Sequence, residues 1–174
     1  MRTVPDSGVM ERWINDYGDD LLRVCALNLG DASQAEDALQ DALLKAFRAY
    51  GSFQHLSSEK TWLTRIAINV CRDMQRSRWA RFVDRRVDID RMPEPAMADE
   101  LPDDSVSLEI MKLPPKYREV IILFFYQQMR VEEIAEALDV PRSTISSRLK
   151  RAKARLRERL EGWYFDETNQ SAGR

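Results

Sequence analysis

Apolar residues recur at helical spacing through the first 80 positions. Trp13, Ile14 and Tyr17, followed by Leu21, Leu22, Val24, Cys25 and Leu29, predict one or two helices ending near Gly30. A second helix opens around Asp31-Ala32-Ser33, with Ser33 as expected N-cap and Glu36 as its capping-box partner. It runs to about Tyr50 and buries Ala35, Ala38, Leu39, Ala42, Leu43, Ala46 and Phe47, before Gly51 and Ser52 break it. The polar loop Gln54–Lys60 leads into a third pattern, formed by Trp62, Leu63, Ile66, Ala67, Val70, Cys71 and Met74. Trp62 shares that apolar pattern and is expected to pack in the core. Beyond position 105 a second helical block follows. Val106–Leu113 is stopped by Pro114-Pro115; Lys116–Gln127 carries Val120, Ile121, Leu123, Phe124 and Phe125; Val131–Leu138 and a long helix from Arg142 to about Trp163 complete it. Met111, Met129, Phe124 and Phe125 are expected to pack that block. No stretch alternates for the length of a strand, and no Asn-Gly or Asp-Gly turn separates apolar runs. The expected fold is all-α, with two small helical domains over 1–85 and 106–165, a flexible acidic linker over 86–105 and a frayed polar tail over 166–174.

Charge sharpens this division. The 174 residues carry 27 Lys and Arg against 29 Asp and Glu, a formal charge of −2, but the balance is local. Arg65–Arg86 has a net charge of +5 and Arg142–Arg159 a net of +7, while Asp84–Ser105, with Pro93, Pro95 and Pro102, has a net of −5. Two basic segments around an acidic, proline-bearing stretch predict two polyanion-binding units on a tether. An apolar content of 44% suits a globular chain rather than a disordered one. No apolar run has the length of a membrane span and no signal-peptide core opens the sequence, so a cytoplasmic chain without direct membrane insertion is expected. Cys25 and Cys71 lack CxxC spacing and occupy apolar helix positions, as small core residues do; the only histidine, His55, falls in a polar loop. With no P-loop, no metal-ligand cluster and no credible nucleophile–base pair, neither an enzyme nor a metal or other cofactor is expected.

The most informative stretch is Val131–Arg151, VEEIAEALDVPRSTISSRLKR, which has the spacing of a helix-turn-helix. Ile134 and Leu138 would face Val140, Ile145 and Leu149 across the corner, and Ala135 marks a close approach of the two helices. Asp139 takes the place of the usual turn glycine and tolerates a left-handed backbone. Pro141 suits the start of the second helix, where Ser143 or Thr144 would cap or line the first turn. Arg142, Ser146, Ser147 and Lys150 would project from the corner toward base edges in a major groove, while Arg148, Arg151, Lys153 and Arg155 suit phosphates. The plainer alternative is a solvated basic helix.

Leu113-Pro-Pro-Lys-Tyr-Arg-Glu-Val120, Glu133-Ile-Ala135 and Ser143-Thr-Ile-Ser-Ser-Arg-Leu-Lys-Arg-Ala152 resemble region 4 of bacterial extracytoplasmic-function (ECF) sigma factors, members of the sigma-70-like family of RNA polymerase subunits. Ala35-Glu-Asp-Ala-Leu-Gln-Asp-Ala-Leu-Leu-Lys-Ala-Phe47 resembles the region 2 helix that grips the polymerase clamp. Phe53 and Thr61-Trp-Leu-Thr-Arg-Ile-Ala-Ile-Asn69, with Asp73 and Arg76, resemble the part that reads the minus-ten element. The resemblance covers most of residues 10–163. It departs at Ser143, where glycine is frequent, and at Ser146, where a basic residue is frequent; no region 1.1 or region 3 block is evident.

The resemblance implies a dissociable sigma factor that binds core RNA polymerase through its clamp coiled coil and flap, recognises promoter DNA, and helps open the duplex. Asp37, Gln40, Asp41 and Lys45, which fall roughly along one helix face, would dock on the clamp. Phe53, Asn69 and the loop over 53–60 would capture an unstacked base, with Arg65, Arg72, Arg76 and Arg78 on phosphates. Arg142, Thr144, Ser146, Ser147, Arg148, Lys150 and Arg151 would engage the minus-thirty-five element. An anti-sigma factor is the expected inhibitory partner. The competing reading is a dimeric helix-turn-helix repressor or activator whose first 80 residues dimerise or sense a ligand. It leaves a second basic segment and the Asn69 loop unexplained.

Overall fold

Gly30, with φ at 67°, ends the first helix, α1 (Ser7–Leu29), in a left-handed turn that glycine adopts without steric cost. In this computed structural model, which describes residues 7–84 and 105–171 and side chains over 8–78 and 106–160, α2 then spans Ala32–Ala49. Its N-cap is Asp31 rather than the expected Ser33. The turn at Gly30 leaves Asp31 extended, at φ −151° and ψ 123°, and its carboxylate accepts the Gln34 amide at 2.9 Å. Ser33 already lies inside the helix.

A short 3₁₀ turn at Tyr50–Ser52 ends α2, and α3 spans Glu59–Asp84. Ser58 caps α3, its hydroxyl accepting the Thr61 amide at 3.1 Å. The first unit's core joins Trp13, Leu21 and Cys25 of α1 to Ala35, Ala38, Ala42, Leu43 and Ala46 of α2 and to Leu63, Ala67, Val70 and Cys71 of α3. The alanines of α2 let its backbone approach its neighbours closely. Both cysteines are buried core residues as expected, whereas Leu39, Phe47 and Trp62 are only half-buried. Outside the core, Arg12 grips Glu59 bidentately at 2.6 and 2.8 Å and Lys60 pairs with Asp20 at 2.8 Å, tying α1 to the start of α3. The Arg12 hydrogen bonds hold the Glu59 carboxyl below its ordinary pKa.

The second unit contains α4 (Ser105–Met111), α5 (Pro115–Ile121), α6 (Val131–Leu138) and α7 (Arg142–Ser171). Pro114 and Pro115 stop α4 and also start α5. Pro115 takes the first helical position, where its missing N–H costs nothing, and the Pro114 carbonyl accepts the amides of Tyr117 and Arg118. The end of α5 departs from the expected helix: Ile122–Tyr126 form a π-helical turn, closed by the Gln127 amide on the Ile122 carbonyl at 3.2 Å. That wider turn shifts the register of the side chains by one residue. Phe125 is consequently 46% exposed instead of packed, Phe124 is half-buried, and Met111 and Met129 are buried as expected. The backbone of α7 continues to Ser171, past the expected end at Trp163 and into the tail expected to fray; Gly162 alone does not interrupt it. The expected acidic linker lies outside the described residues, except that Ser105 opens α4.

Val24, Leu27 and Ile68 of the first unit pack into the core of the second, among Val120, Ile121, Leu123, Ile134 and Leu138. The two units therefore meet over a continuous apolar contact. In the helix-turn-helix, Ile134, Leu138, Ile145 and Leu149 are buried together and Val140 closes the corner. Asp139 has φ 54° and ψ 50°, the left-handed conformation expected of it, and the Val140 amide bonds the Ala135 carbonyl at 3.1 Å. Asp139 is solvent-exposed, so its replacement isolates backbone strain. Asp139→Gly is expected to exceed Asp139→Ala in stability by about 1 kcal/mol, read as a higher urea midpoint. Equal midpoints would place no strain at this corner.

Candidate nucleic-acid interface

The corner between α6 and α7 sets which side of α7 faces outward. Ile145, Leu149 and Ala152 face the core, leaving Arg142, Ser143, Ser146, Ser147 and Lys150 exposed on the opposite side. Of these, Arg142, Ser146, Ser147 and Lys150 are the side chains expected to reach base edges. Thr144 and Arg148 flank it and are half-buried. The Pro141 carbonyl accepts the amides of Thr144 and Ile145, so Pro141 directly precedes the first turn. Arg142 is paired at 2.9 Å with Glu132 of α6, a contact formed by the crossing of the two helices.

Several basic residues lie back on aromatic rings. Lys153 Nζ is 4.5 Å from the Phe124 ring centroid and 5.4 Å from that of Phe125, and the Arg155 guanidinium is 5.0 Å from the Tyr117 centroid. Arg151, near the Tyr117 hydroxyl, holds the phenol below its ordinary pKa. These contacts, which sequence periodicity did not identify, hold charges on both flanks of α7, Arg151 and Arg155 on one and Lys153 on the other.

On α3, Arg65, Asn69, Arg72 and Arg76 recur at intervals of four, three and four residues and share a face. Arg65, Asn69 and Arg76 are exposed there, and Arg76 lies 3.7 Å from Asp73. Arg78 is also exposed but lies roughly 140° around the helix from Arg65 at 100° per residue, so it does not join that face. Arg72 is engaged elsewhere. Its Nε donates to Glu119 Oε1 at 2.9 Å and its Nη2 to Oε2 at 2.8 Å, and this pairing raises the guanidinium pKa. Glu119 is a buried residue of α5, and sequence reasoning overlooked it. The available signal was a glutamate three and four residues before Ile122 and Leu123, on the apolar face of its helix.

Beside the α3 face, Phe53 stacks on Trp62, with centroids 4.7 Å apart and planes 26° from parallel, and meets the His55 ring at 4.4 Å. Trp62 also contacts Trp13 and Tyr50, so it joins the core to the loop instead of belonging wholly to the core. His55 has φ 55° and is exposed; the next residue, Leu56, is 84% exposed. The loop thus presents flat rings at the start of α3, and the exposed Asn69 amide lies about two turns beyond Trp62 on the same helix; rings and amide are groups suited to stacking and hydrogen-bonding a base.

On α2, Asp37, Gln40 and Lys45 are exposed and Asp41 is half-exposed, with Asp41 and Lys45 paired at 3.0 Å. Leu44, 43% exposed, lies between them and adds an apolar contact that the polar pattern alone did not suggest. Among the described residues, no group of three or more His, Cys, Asp or Glu side chains could hold a metal ion, and no helix is long and apolar enough to cross a membrane.

Comparison with known proteins matches this arrangement to one family. Residues 13–81 match the model of Sigma-70 region 2 and residues 104–156 that of Sigma-70 region 4. The chain is 34% identical to the ECF RNA polymerase sigma factor SigW of Bacillus subtilis over 84% of its own length and 86% of that protein. It is 33% identical to the RNA polymerase sigma-E factor of Streptomyces avermitilis, over 90% of this chain and 87% of that one. Among solved structures, the sigma factor RpoE in complex with the anti-sigma factor NepR from Bartonella quintana superposes with a TM-score of 0.69 at 28% identity, over 87% of this chain and 98% of that one. CnrH, solved with the cytosolic domain of CnrY, shares the fold with a TM-score of 0.67 at 22% identity, over 90% of both chains. With both region models matched in order and relatives at this identity spanning most of its length, the chain belongs to the sigma-70 family as a sigma factor of the ECF type.

Proposed function

We propose that the chain acts as a dissociable promoter-recognition subunit whose three exposed faces divide the work. The face of α2 bearing Asp37, Gln40, Asp41, Leu44 and Lys45 holds the clamp of core polymerase. The aromatic loop and Asn69 take up a base of the minus-ten element, while Arg65, Arg76 and, once released from Glu119, Arg72 hold its phosphates. The outward side of α7 reads the minus-thirty-five element with Arg142, Ser146, Ser147 and Lys150, flanked by Thr144, Arg148 and Arg151. Residues 1–85 and 106–165 form the two functional domains on this reading, joined by the segment 86–105. The subunit has no catalysis of its own and works in the cytoplasm. The observation that carries the reading is a solvent-facing helix-turn-helix and an exposed Asp/Gln/Lys face presented by two packed units of one chain. The RpoE–NepR complex supports an anti-sigma factor as the inhibitory partner here too.

Asp41→Arg is expected to weaken core binding at least thirtyfold, about 2 kcal/mol on the scale of interfacial charge pairs, in gel filtration or titration with bacterial core polymerase. Its circular dichroism should remain that of the wild type. Normal co-elution of the variant would remove α2 from the polymerase interface. Lys150→Ala should leave core binding intact and weaken duplex binding upstream by about tenfold, near 1.4 kcal/mol. If Lys150 contacts a phosphate, the same variant should flatten the logarithmic salt dependence by about one unit. Unchanged upstream affinity would rule out this face of α7 as the reading surface.

A further inference from the structure

Arg72 shares a helix face with Asn69 and Arg76, yet the Nε–Nη2 edge of its guanidinium is taken by a carboxylate of the other unit. We propose that the Arg72–Glu119 pair is an intramolecular latch that keeps the free chain in a closed form unable to span a promoter. The inference rests on the sigma-factor reading for its consequence, but the latch itself is a property of the free chain.

The Glu119 side chain is only 7% exposed, and both of its oxygens are satisfied by the same guanidinium. An isolated buried carboxylate is costly, so Glu119 favours the state in which Arg72 covers it. Around this pair, Val24, Leu27 and Ile68 contribute apolar surface to the second unit's core. The buried Gln127 side chain donates to the Asp20 carbonyl at 2.9 Å, and the Arg23 guanidinium lies 5.7 Å from the Tyr126 centroid. The fixed polar contacts align the two units, and the apolar contact gives them reason to stay together.

The closed form conflicts with the open task in two ways. Arg72 cannot offer the same planar fork to Glu119 and to a DNA phosphate. Size adds a second conflict. A compact chain of this length has a radius of gyration of about 16 Å, whereas elements centred about 25 base pairs apart lie roughly 85 Å apart along B-form DNA at 3.4 Å per pair. The units must separate before each can lie on its own element. A phosphate that takes the Nε–Nη2 edge of Arg72 removes the partner of Glu119, so minus-ten engagement through that edge and release of the second unit favour each other.

Small-angle scattering on the full-length free chain tests the latch. The wild type should have a radius of gyration near 16–18 Å, and Glu119→Gln should raise it by about a quarter as the units part on their tether. Arg72→Glu should do the same, and the exchange Arg72→Glu/Glu119→Arg should restore the compact value. An expanded wild type, or two compact single variants with native circular dichroism, would overturn the proposal. Should a single variant lose helix, the exchange variant decides: compact and fully helical supports the latch, expanded and fully helical contradicts it. Co-elution of the wild type with core polymerase, measured in parallel, tests the sigma-factor reading separately. A compact chain that failed to co-elute would keep the latch while removing its promoter role.

Discussion

A carboxylate on the apolar face of a helix must find a cation or remain uncharged, and Glu119 meets that constraint through Arg72. The consequences run through the whole molecule. Glu119 lies on the helix started by Pro114-Pro115, whose following π turn rotates Phe125 outward and leaves Gln127 able to reach Asp20. Arg72 lies on the long helix that also carries the exposed Asn69. One ion pair thus joins the helix preceding the DNA-reading corner to the helix beside the aromatic loop. It places both units in one closed arrangement without using the outward faces of α2 and α7.

Much of this was legible in periodicity. The apolar spacings of α1, α2 and α3, the proline stop before α5 and the α6–α7 corner all appear in the structure, because each buries a stripe whose period can be counted. The left-handed Asp139 was legible too, since the helix-turn-helix spacing requires a residue tolerant of that backbone. The N-cap was misplaced by two residues because Asp31 and Ser33 both carry suitable oxygens; the turn at Gly30, not composition, selected Asp31. The π turn left no periodic mark, as Ile122–Tyr126 is apolar in any register.

The site residues divide in the same way. Faces along one helix, such as Asp37, Gln40, Asp41 and Lys45, follow from spacing, and the phase of Arg78 could have been counted from Arg65 as well. Contacts between helices could not be counted. Arg142 with Glu132, Lys153 over Phe124 and Phe125, and Arg72 with Glu119 each depend on a crossing angle or a packed interface. Charge counting also treated the arginines of the two basic segments as available to DNA. In the folded chain some are committed to carboxylates or rings, and only those facing outward remain free to meet DNA.

Everything above depends on one role, that this chain directs polymerase to promoters. The most direct test is transcription by bacterial core polymerase on sheared genomic DNA from the organism that encodes it, with and without the purified chain, followed by mapping of RNA 5′ ends. A small set of discrete 5′ ends should appear only when the chain is added. Identical 5′ ends from core alone and from core with the chain would contradict it.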